Sequence, residues 1–185
     1  MEETKFINHT KRALKSETIE LAKKYALKCH REANHKYDKT KPYSVHLQIV
    51  FDYGKKYAWL LNTEQHAINA LAACWTHDTI EDTRQTYNDV KKVLGIDIAE
   101  ITFALTNEKG RTRHDRASAH YYMGIRQTTV ASFVKMCDRL ANVKYSKDTG
   151  GDMLEKYKSE QSNFKFQLYT PLLKEMWDEL DELLK

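Results

Sequence analysis

Residues 64–78 read EQHAINALAACWTHD, and this stretch decides how the rest of the chain is interpreted. Apolar residues occupy nearly every side of the helix it would form, which predicts a helix buried all round at the centre of the fold. Directly after it, residues 77–83 read HDTIEDT and place a histidine and three acids within seven residues. Unpaired carboxylates beside a buried segment are costly unless a positive group compensates them, and a metal ion is the natural compensator.

The composition indicates one globular, all-α domain over residues 1–185. The chain is 41% hydrophobic and 30% charged, which is ordinary for a folded protein. It has 6 Gly and 2 Pro, so few hairpins are available, and most apolar positions recur at helical spacing.

Local signals predict the helix boundaries. A helix should start at Ser16 or Thr18, and Pro42 should separate a basic, aromatic loop from a helix over residues 43–61. Further starts are predicted at Asn62 or Thr63 (Asn62 with Gln65 as a capping box), at Thr86 with Asp89 (ending at Gly95), and at Asp97 with Glu100. The TGG of residues 149–151 predicts a hinge, and Pro171 divides the two amphipathic helices expected over residues 152–185.

Charge and patterning bound the location and the partners. The net charge of +4 is spread along the chain, which argues against a dedicated nucleic-acid surface. The first residues, MEETKFINHTKRALK, lack the apolar region of a signal peptide, and no apolar run is long enough to span a bilayer. We therefore expect a cytoplasmic protein with a small-molecule substrate, no membrane or nucleic-acid partner, and a homodimer left open.

Four residues are candidates for one metal site: His46, His77, Asp78 and Asp138. Each alone is more typical of an ordinary buried or surface side chain, but His77 and Asp138 each follow an apolar run. Two imidazoles and two carboxylates suit manganese, iron or a similar divalent ion that keeps water ligands better than a closed structural zinc. Such an ion lowers the pKa of bound water and stabilises a phosphoryl oxygen.

A second acidic pair, Glu81 and Asp82, follows His77 and Asp78 by four residues. On a helix or tight turn, Asp78 and Asp82 are four residues apart and can face one cavity, as can His77 and Glu81. A carboxylate near activated water can accept its proton, and two neighbouring acids raise one pKa. The alternative is that Glu81 and Asp82 are surface acids at a helix end.

These residues match a known family pattern. His46, His77-Asp78 and Asp138 resemble the H…HD…D pattern of HD-domain metal-dependent phosphohydrolases. HDTIEDT and DRLANV are similar to the HD-x-x-ED-T and D-[KR]-L-x-N motifs of RelA/SpoT-type hydrolase domains and of the small alarmone hydrolases. KPYSVH resembles their G-E-P-Y-x-x-H, LTNEK their V-T-x-x-K, and LYTPLL their Y-A-P-L motif. The resemblance covers about residues 20–172.

The resemblance implies an all-helical HD fold with the metal site in its centre. It also implies an enzyme that hydrolyses the 3′-pyrophosphate of guanosine tetra- or pentaphosphate and releases pyrophosphate. It implies Mn²⁺ as the cofactor, with Fe²⁺, Co²⁺ or Mg²⁺ as alternatives, held by the four candidate ligands. Glu81 and Asp82 would then orient and activate the attacking water, and Asn142 would face the nucleoside.

The loop before Pro42 departs from the family pattern. The family has an Arg-Lys pair there whose arginine stacks on the guanine base, but this sequence has no arginine between Arg31 and Pro42. His35, Lys36 or Tyr37 can offer a flat or cationic surface to a purine instead. The further candidates for phosphate contacts are Lys39, Lys41, Arg84, Lys109, Arg111, Arg113 and Arg139.

Two other functions remain open. One is an HD phosphohydrolase for another nucleotide or phosphoester, since the base-stacking arginine is missing. The other is a non-catalytic, metal-dependent nucleotide-binding module, against which the Glu81-Asp82 pair argues because binding alone does not require it.

Overall fold

The computed structural model describes residues 9–108 and 110–185, without the side chains of Arg113 and His114. The α-helices are α1 (Glu17–Glu32), α2 (Ser44–Tyr57), α3 (Glu64–Thr76), α4 (Thr79–Asp82), α5 (Tyr87–Leu94), α6 (Ile96–Leu105), α7 (Arg113–Arg116), α8 (Ala119–Gln127), α9 (Ala131–Thr149), α10 (Met153–Leu168) and α11 (Lys174–Leu183). Short 3₁₀ turns occur at Ala58–Leu60 and Pro171–Leu173. Within the described residues there is no strand, only an isolated antiparallel bridge between Lys36 and Pro42. The predicted all-α class is confirmed.

Most of the predicted helix starts are observed. The Ser16 hydroxyl accepts a hydrogen bond from the Thr18 amide at 3.3 Å and caps α1. Thr86 and Asp89 form the predicted capping box of α5, which Gly95 ends at φ +88°. Side-chain caps satisfy amides that the first helical turn leaves without partners, which is why these short motifs predict boundaries well.

Two details of the predicted caps were wrong. Thr63, not Asn62, caps α3 by accepting from the His66 amide at 3.0 Å, so no Asn62 capping box forms. Gln65 donates instead to Asn69 Oδ1 at 2.8 Å. The next helix, α6, begins at Ile96 directly after Gly95, so Asp97 lies inside the first turn rather than at the cap.

The C-terminal half follows its glycine and proline signals. Gly150, with φ +66°, ends α9 in the left-handed conformation that glycine adopts without strain. Pro171 starts the 3₁₀ turn that separates α10 from α11. These features confirm the predicted division of the last two helices.

The predicted central helix lies at the centre. Residues 69–76 of α3 are all buried, and α3 packs against α1, α2, α6 and α9. The long helix α9 packs against α2, α3, α6, α8, α10 and α11. The N-terminal end of α2, the connection between α3 and α4 and the middle of α9 meet, and this junction positions the candidate site. No helix in residues 9–108 or 110–185 has the length and apolar character to cross a membrane.

Candidate metal centre and active site

Imidazole and carboxylate groups from three helices converge at this junction. The Nε2 atoms of His46 and His77 lie 3.2 Å apart. Asp138 Oδ1 lies 3.4 Å from His46 Nε2 and 3.7 Å from His77 Nε2, so these three residues offer ligand atoms within 4.8 Å of one another. Asp78 Oδ2 joins them at 2.8 Å from His77 Nε2 and 3.6 Å from His46 Nε2.

This geometry fits one divalent cation. Nitrogen and oxygen ligands bind such ions at about 2.0–2.2 Å, so two ligands of one ion lie no more than about 4.4 Å apart. The five distances given above, which join each imidazole to the other and to both carboxylates, fall below that limit. The two imidazoles with two carboxylates, free of thiolate, suit a hard or borderline divalent metal.

Neighbouring groups orient the candidate ligands. The backbone carbonyl of Cys74 lies 3.1 Å from His77 Nδ1 and can only accept, so Nδ1 carries the proton and Nε2 is left for a metal. The Tyr43 hydroxyl donates to Asp78 Oδ2. Asn142 Nδ2 donates to Asp138 Oδ1 at 2.5 Å, and Lys135 Nζ donates to Asp138 Oδ2 at 3.0 Å.

The charges of the cluster compensate one another. Burial lowers the pKa of His46, but hydrogen bonds and attraction to Asp138 and Asp78 outweigh it and raise that pKa to about 9. Burial raises the pKa of both carboxylates, yet the positive neighbours hold them well below the usual range: mainly His77 for Asp78 and Lys135 for Asp138. The carboxylates thus remain charged beside a protonated imidazole, and a divalent cation can replace that proton.

The second acidic pair divides into two environments. Glu81 is hydrogen-bonded to the loop after α6, because its two carboxylate oxygens accept from the Asn107 amide at 3.0 Å and from Asn107 Nδ2 at 2.9 Å. Asp82 has 31% of its side chain exposed and lies 3.9 Å from His35 Nδ1. Partial burial, followed by repulsion from Asp78 and Glu81, raises the pKa of Asp82 to about 7. Asp82 is therefore poised to exchange a proton near neutral pH.

A cavity of about 320 Å³ opens beside these groups, a size at the lower end for small-molecule sites. Acidic, basic, amide and aromatic side chains line it: Asp78, Glu81, Asp82, Asp138, Glu160, Lys135, Arg116, Arg139, Asn107, Asn142, Asn163, Tyr43, Tyr121, Tyr122, Tyr157 and Phe164.

Asn142 and Tyr37, which were predicted to bind substrate, lie beside the metal-binding cluster. Asn142 lines the cavity, and its Oδ1 accepts from the Tyr37 hydroxyl at 3.2 Å. The Tyr37 ring packs 4.8 Å from His46 and 4.4 Å from Tyr145, measured between ring centroids. Tyr37 is therefore a wall of the site rather than a freely exposed stacking surface.

The basic residues of the 36–41 loop are placed differently. Lys41 Nζ donates to the Tyr145 hydroxyl at 3.0 Å, and Asp38 accepts from the Thr40 and Lys41 amides at 2.7 Å, which holds the loop against α9. Among the described residues, Lys36, Lys39, Arg84 and Arg111 are exposed and do not line the cavity. Lys109 and the side chain of Arg113 lie outside the described part of the chain.

Arg139 does line the cavity. Its guanidinium lies between the rings of Tyr157 and Phe164, at 4.6 and 4.5 Å from their centroids, and its Nη1 donates to Glu160 at 2.9 Å. It is both a structural ion-pair partner and a wall of the cavity.

Sequence reasoning missed Lys135, Tyr43 and Arg116. Lys135 had a usable signal, because it is the one charged residue in the apolar run VASFVKMC of residues 130–137. Tyr43 stands beside Pro42 in the KPYSVH motif, but only the fold brings its hydroxyl to Asp78, 35 residues away.

Relatives of the chain are found by sequence and by structure. No family model matches the chain. Guanosine-3′,5′-bis(diphosphate) 3′-pyrophosphohydrolase MESH1 is 25% identical to the chain over 122 residues in Drosophila melanogaster and 27% identical over 122 residues in Danio rerio. Each alignment covers 65% of this chain, and the chain spans 64% of the length of these relatives.

A solved structure shows the same architecture. It is that of a metazoan orthologue of SpoT that hydrolyses ppGpp and plays a role in starvation responses. It matches with a TM-score of 0.71 at 21% identity and covers 91% of this chain and 94% of that one. The chain has the fold of this SpoT orthologue. The resemblance inferred from the motifs is thus confirmed as a likeness to MESH1 in sequence and to a SpoT-type hydrolase in fold.

Proposed function

We propose that the chain is a manganese-dependent hydrolase that removes the 3′-pyrophosphate of guanosine 3′,5′-bis(diphosphate), ppGpp. The observation that carries the proposal is the convergence of His46, His77, Asp78 and Asp138 on one point, with Asp82 beside it in the same cavity. The likeness to MESH1 supports ppGpp as the substrate. The charge and ligand types of the cluster support Mn²⁺ over a thiolate-bound zinc.

The four converging residues would hold the metal. When bound, a divalent ion lowers the pKa of attached water and draws negative charge from a phosphoryl group. Cys74, Tyr43 and Asn142 contribute by fixing the orientation of the ligand side chains.

Asp82 is the proposed general base. In the reaction, the oxygen of water bonds to the phosphorus attached to the ribose 3′-oxygen, and the bond between that phosphorus and the 3′-oxygen breaks. Asp82 accepts the proton that water loses, and the 3′-oxygen takes up a proton as GDP departs. The pKa of Asp82, raised to about 7, suits this transfer at neutral pH. Glu81 is the proposed positioning residue, because it holds the Asn107 segment beside Asp82.

Substrate contacts are proposed for the residues predicted from sequence. Asn142 and Tyr37 are the best supported, since they lie beside the metal ligands and contact each other. Arg139 is proposed to meet a phosphate from the wall of the cavity. Lys36, Lys39, Lys41 and Arg84 would meet substrate only at the rim, as point charges.

A second candidate is hydrolysis of a different nucleotide. It is favoured by the absence of an arginine between Arg31 and Pro42, where the RelA/SpoT-type domains carry the arginine that stacks on guanine. In this chain the ring of His35 stacks on Tyr43 at 3.8 Å instead, so an imidazole occupies this region.

The test is a hydrolysis assay on metal-stripped protein supplied with Mn²⁺, and with Fe²⁺, Co²⁺ or Mg²⁺ for comparison. We expect GDP and pyrophosphate from ppGpp, lost in Asp138→Asn and retained in Asp148→Asn, an exposed acid on the same helix α9. Turnover of another nucleotide in a parallel panel, with none of ppGpp, would favour the second candidate. Tight ppGpp binding without turnover would favour a non-catalytic binding module.

The remaining predictions belong to the same proposal. They are a cytoplasmic location, a single domain over residues 1–185 and a nucleotide rather than a nucleic acid as ligand. Whether the chain forms a homodimer is decided by its molar mass in solution, measured by light scattering of the purified chain.

A further inference from the structure

Lys135 places a cation inside the cavity. It lies on α9 one turn before Asp138, and its Nζ donates to Asp138 Oδ2 at 3.0 Å. Its side chain is 20% exposed and lines the cavity beside the metal-binding cluster. A lysine in this position is unusual, because buried ammonium groups are rare unless they are paired or bind a ligand.

Its hydrogen bonds leave room for a ligand. An ammonium group has three N–H donors. Asp138 takes one of them, and the Tyr121 hydroxyl, which donates to the Leu105 carbonyl at 3.0 Å, is a second neighbour that can accept from Lys135. The third donor is available to a group in the cavity.

The Asp138 carboxylate connects Lys135 to the metal-binding cluster. Its Oδ1 faces His46 Nε2 at 3.4 Å, while its Oδ2 accepts from Lys135. The ammonium and the candidate ligand nitrogens thus lie at the two edges of one carboxylate. An anion bound beside the cluster meets the positive charge of Lys135 as well.

The charge of the cavity requires such a cation. The described lining carries five carboxylates, those of Asp78, Glu81, Asp82, Asp138 and Glu160, against three basic side chains, Lys135, Arg116 and Arg139. Arg139 is paired with Glu160, and Arg116 lies at the exposed rim. Among the described residues that line the cavity, Lys135 is therefore the basic side chain next to the metal ligands, where a diphosphate with several negative charges would bind.

We propose that Lys135 binds phosphoryl oxygens of the diphosphate and holds it, both as an ester and as released pyrophosphate, against the metal-binding cluster. The inference rests on the proposed function for the identity of the reaction, but its ligand class is any diphosphate. Lys135 would then contact substrate, in addition to pairing with Asp138.

The competing role is positioning of Asp138 alone, and the two roles differ in their effect on the anion. If Lys135 only positions Asp138, a replacement that still donates to Asp138 should leave pyrophosphate binding to the Mn²⁺-loaded protein unchanged. If Lys135 binds the anion, loss of its charge should weaken pyrophosphate binding even when the replacement still donates to Asp138 and Mn²⁺ is saturating.

The test is calorimetry on the full chain, first with Mn²⁺ and then with pyrophosphate added to the Mn²⁺-loaded protein. Lys135→Gln is the main variant, since glutamine can still donate to Asp138 but carries no charge. Lys135→Arg restores the charge and serves as a second variant if Lys135→Gln folds poorly. Lys144→Met is the matched control, because Lys144 pairs with Asp148 on the exposed side of the same helix.

We expect Lys135→Gln to weaken pyrophosphate binding by roughly tenfold or more, Lys135→Arg to retain most of it, and Lys144→Met to match wild type. Unchanged pyrophosphate affinity in Lys135→Gln at saturating Mn²⁺ would overturn the inference. Hydrolysis of ppGpp is scored separately. Lys135-dependent pyrophosphate binding without ppGpp turnover would reject the proposed function but not the role of Lys135, and the reverse result would reject only the role of Lys135.

Discussion

The Nε2 atoms of His46 and His77 lie 3.2 Å apart although 31 residues separate them in sequence. Two imidazole nitrogens at this distance either share a proton or bind a common cation. The carboxylates of Asp78 and Asp138 lie beside His46 Nε2 and favour a shared cation, because their two negative charges balance a divalent ion.

Loss of one carboxylate should remove the stabilisation by metal. At a Mn²⁺ concentration about 100 times its Kd, binding stabilises the folded state by about 2.7 kcal/mol, which corresponds to a rise in Tm of roughly 5 °C or more. We expect this rise in wild type and in Asp148→Asn, but not in Asp138→Asn, by thermal unfolding with and without Mn²⁺. An equal rise in all three proteins would contradict the assignment of Asp138.

The two acids after the HD pair should differ in kinetic effect. Asp82→Asn removes the proposed base and should lower kcat by about 10² or more with little change in Tm. Glu81→Gln keeps one oxygen that can accept from Asn107 but replaces the other oxygen with an NH₂ group, which cannot accept. One of the two hydrogen bonds to Asn107 is lost, so the variant should have a lower kcat and a lower Tm. Steady-state kinetics with thermal unfolding separates the two. Full activity of Asp82→Asn would assign the base elsewhere.

Acid should destabilise the fold through His30. This side chain is 2% exposed, and burial lowers its pKa from 6.5 to about 4. The unfolded chain takes up a proton near pH 6.5 while the folded chain does not, so the contribution of His30 is complete above pH 6.5 and is lost as pH falls towards 4. The loss amounts to roughly 3 kcal/mol.

Urea unfolding at several pH values, with a chelator present, tests this prediction. The decline in the free energy of unfolding from pH 7 to pH 4.5 should be smaller in His30→Gln than in wild type. The control His120→Gln, whose side chain is 79% exposed, should follow wild type. Parallel curves for wild type and His30→Gln would show that another group titrates.

Close packing of α2 on α3 should make Gly54 intolerant of larger residues. A Cβ at Gly54 would lie 2.9 Å from Cys74 Sγ and 3.1 Å from Leu71 Cδ2. Overpacking of this kind costs about 1–3 kcal/mol, so Gly54→Val should lower stability by at least that amount. Gly124→Ala is the control, because no atom other than its chain neighbours and its own helix backbone lies within 4 Å of its added Cβ, and it should gain up to about 1 kcal/mol as a helix substitution. A Gly54→Val protein as stable as wild type would mean that the helices separate easily.

Features encoded within a few residues could be predicted from the sequence. The buried helix α3, the capping box of Thr86 and Asp89, and the break at Pro171 each depend on neighbours in the chain. The Asn62–Gln65 capping box and the start at Asp97 were wrong, because Thr63 caps α3 and Gly95 precedes α6, and propensity alone does not choose between neighbouring candidates for one helix start.

Contacts between distant segments could not be predicted. Glu81 meets Asn107 across 26 residues, and Tyr37 meets Asn142 across 105. These pairs depend on how α4 and α9 are placed by the whole core, and no local pattern records that placement. The HD motif indicated candidate residues for the chemistry, but the different environments of Glu81 and Asp82 could be seen only in the fold.

The most direct test of the account is anomalous diffraction from a crystal of the chain grown with Mn²⁺. The account predicts one manganese peak at about 2.0–2.3 Å from Nε2 of His46 and His77 and from a carboxylate oxygen of Asp78 and Asp138. A fully loaded crystal with its manganese elsewhere, or with His46 and Asp138 outside its coordination sphere, would contradict the central claim.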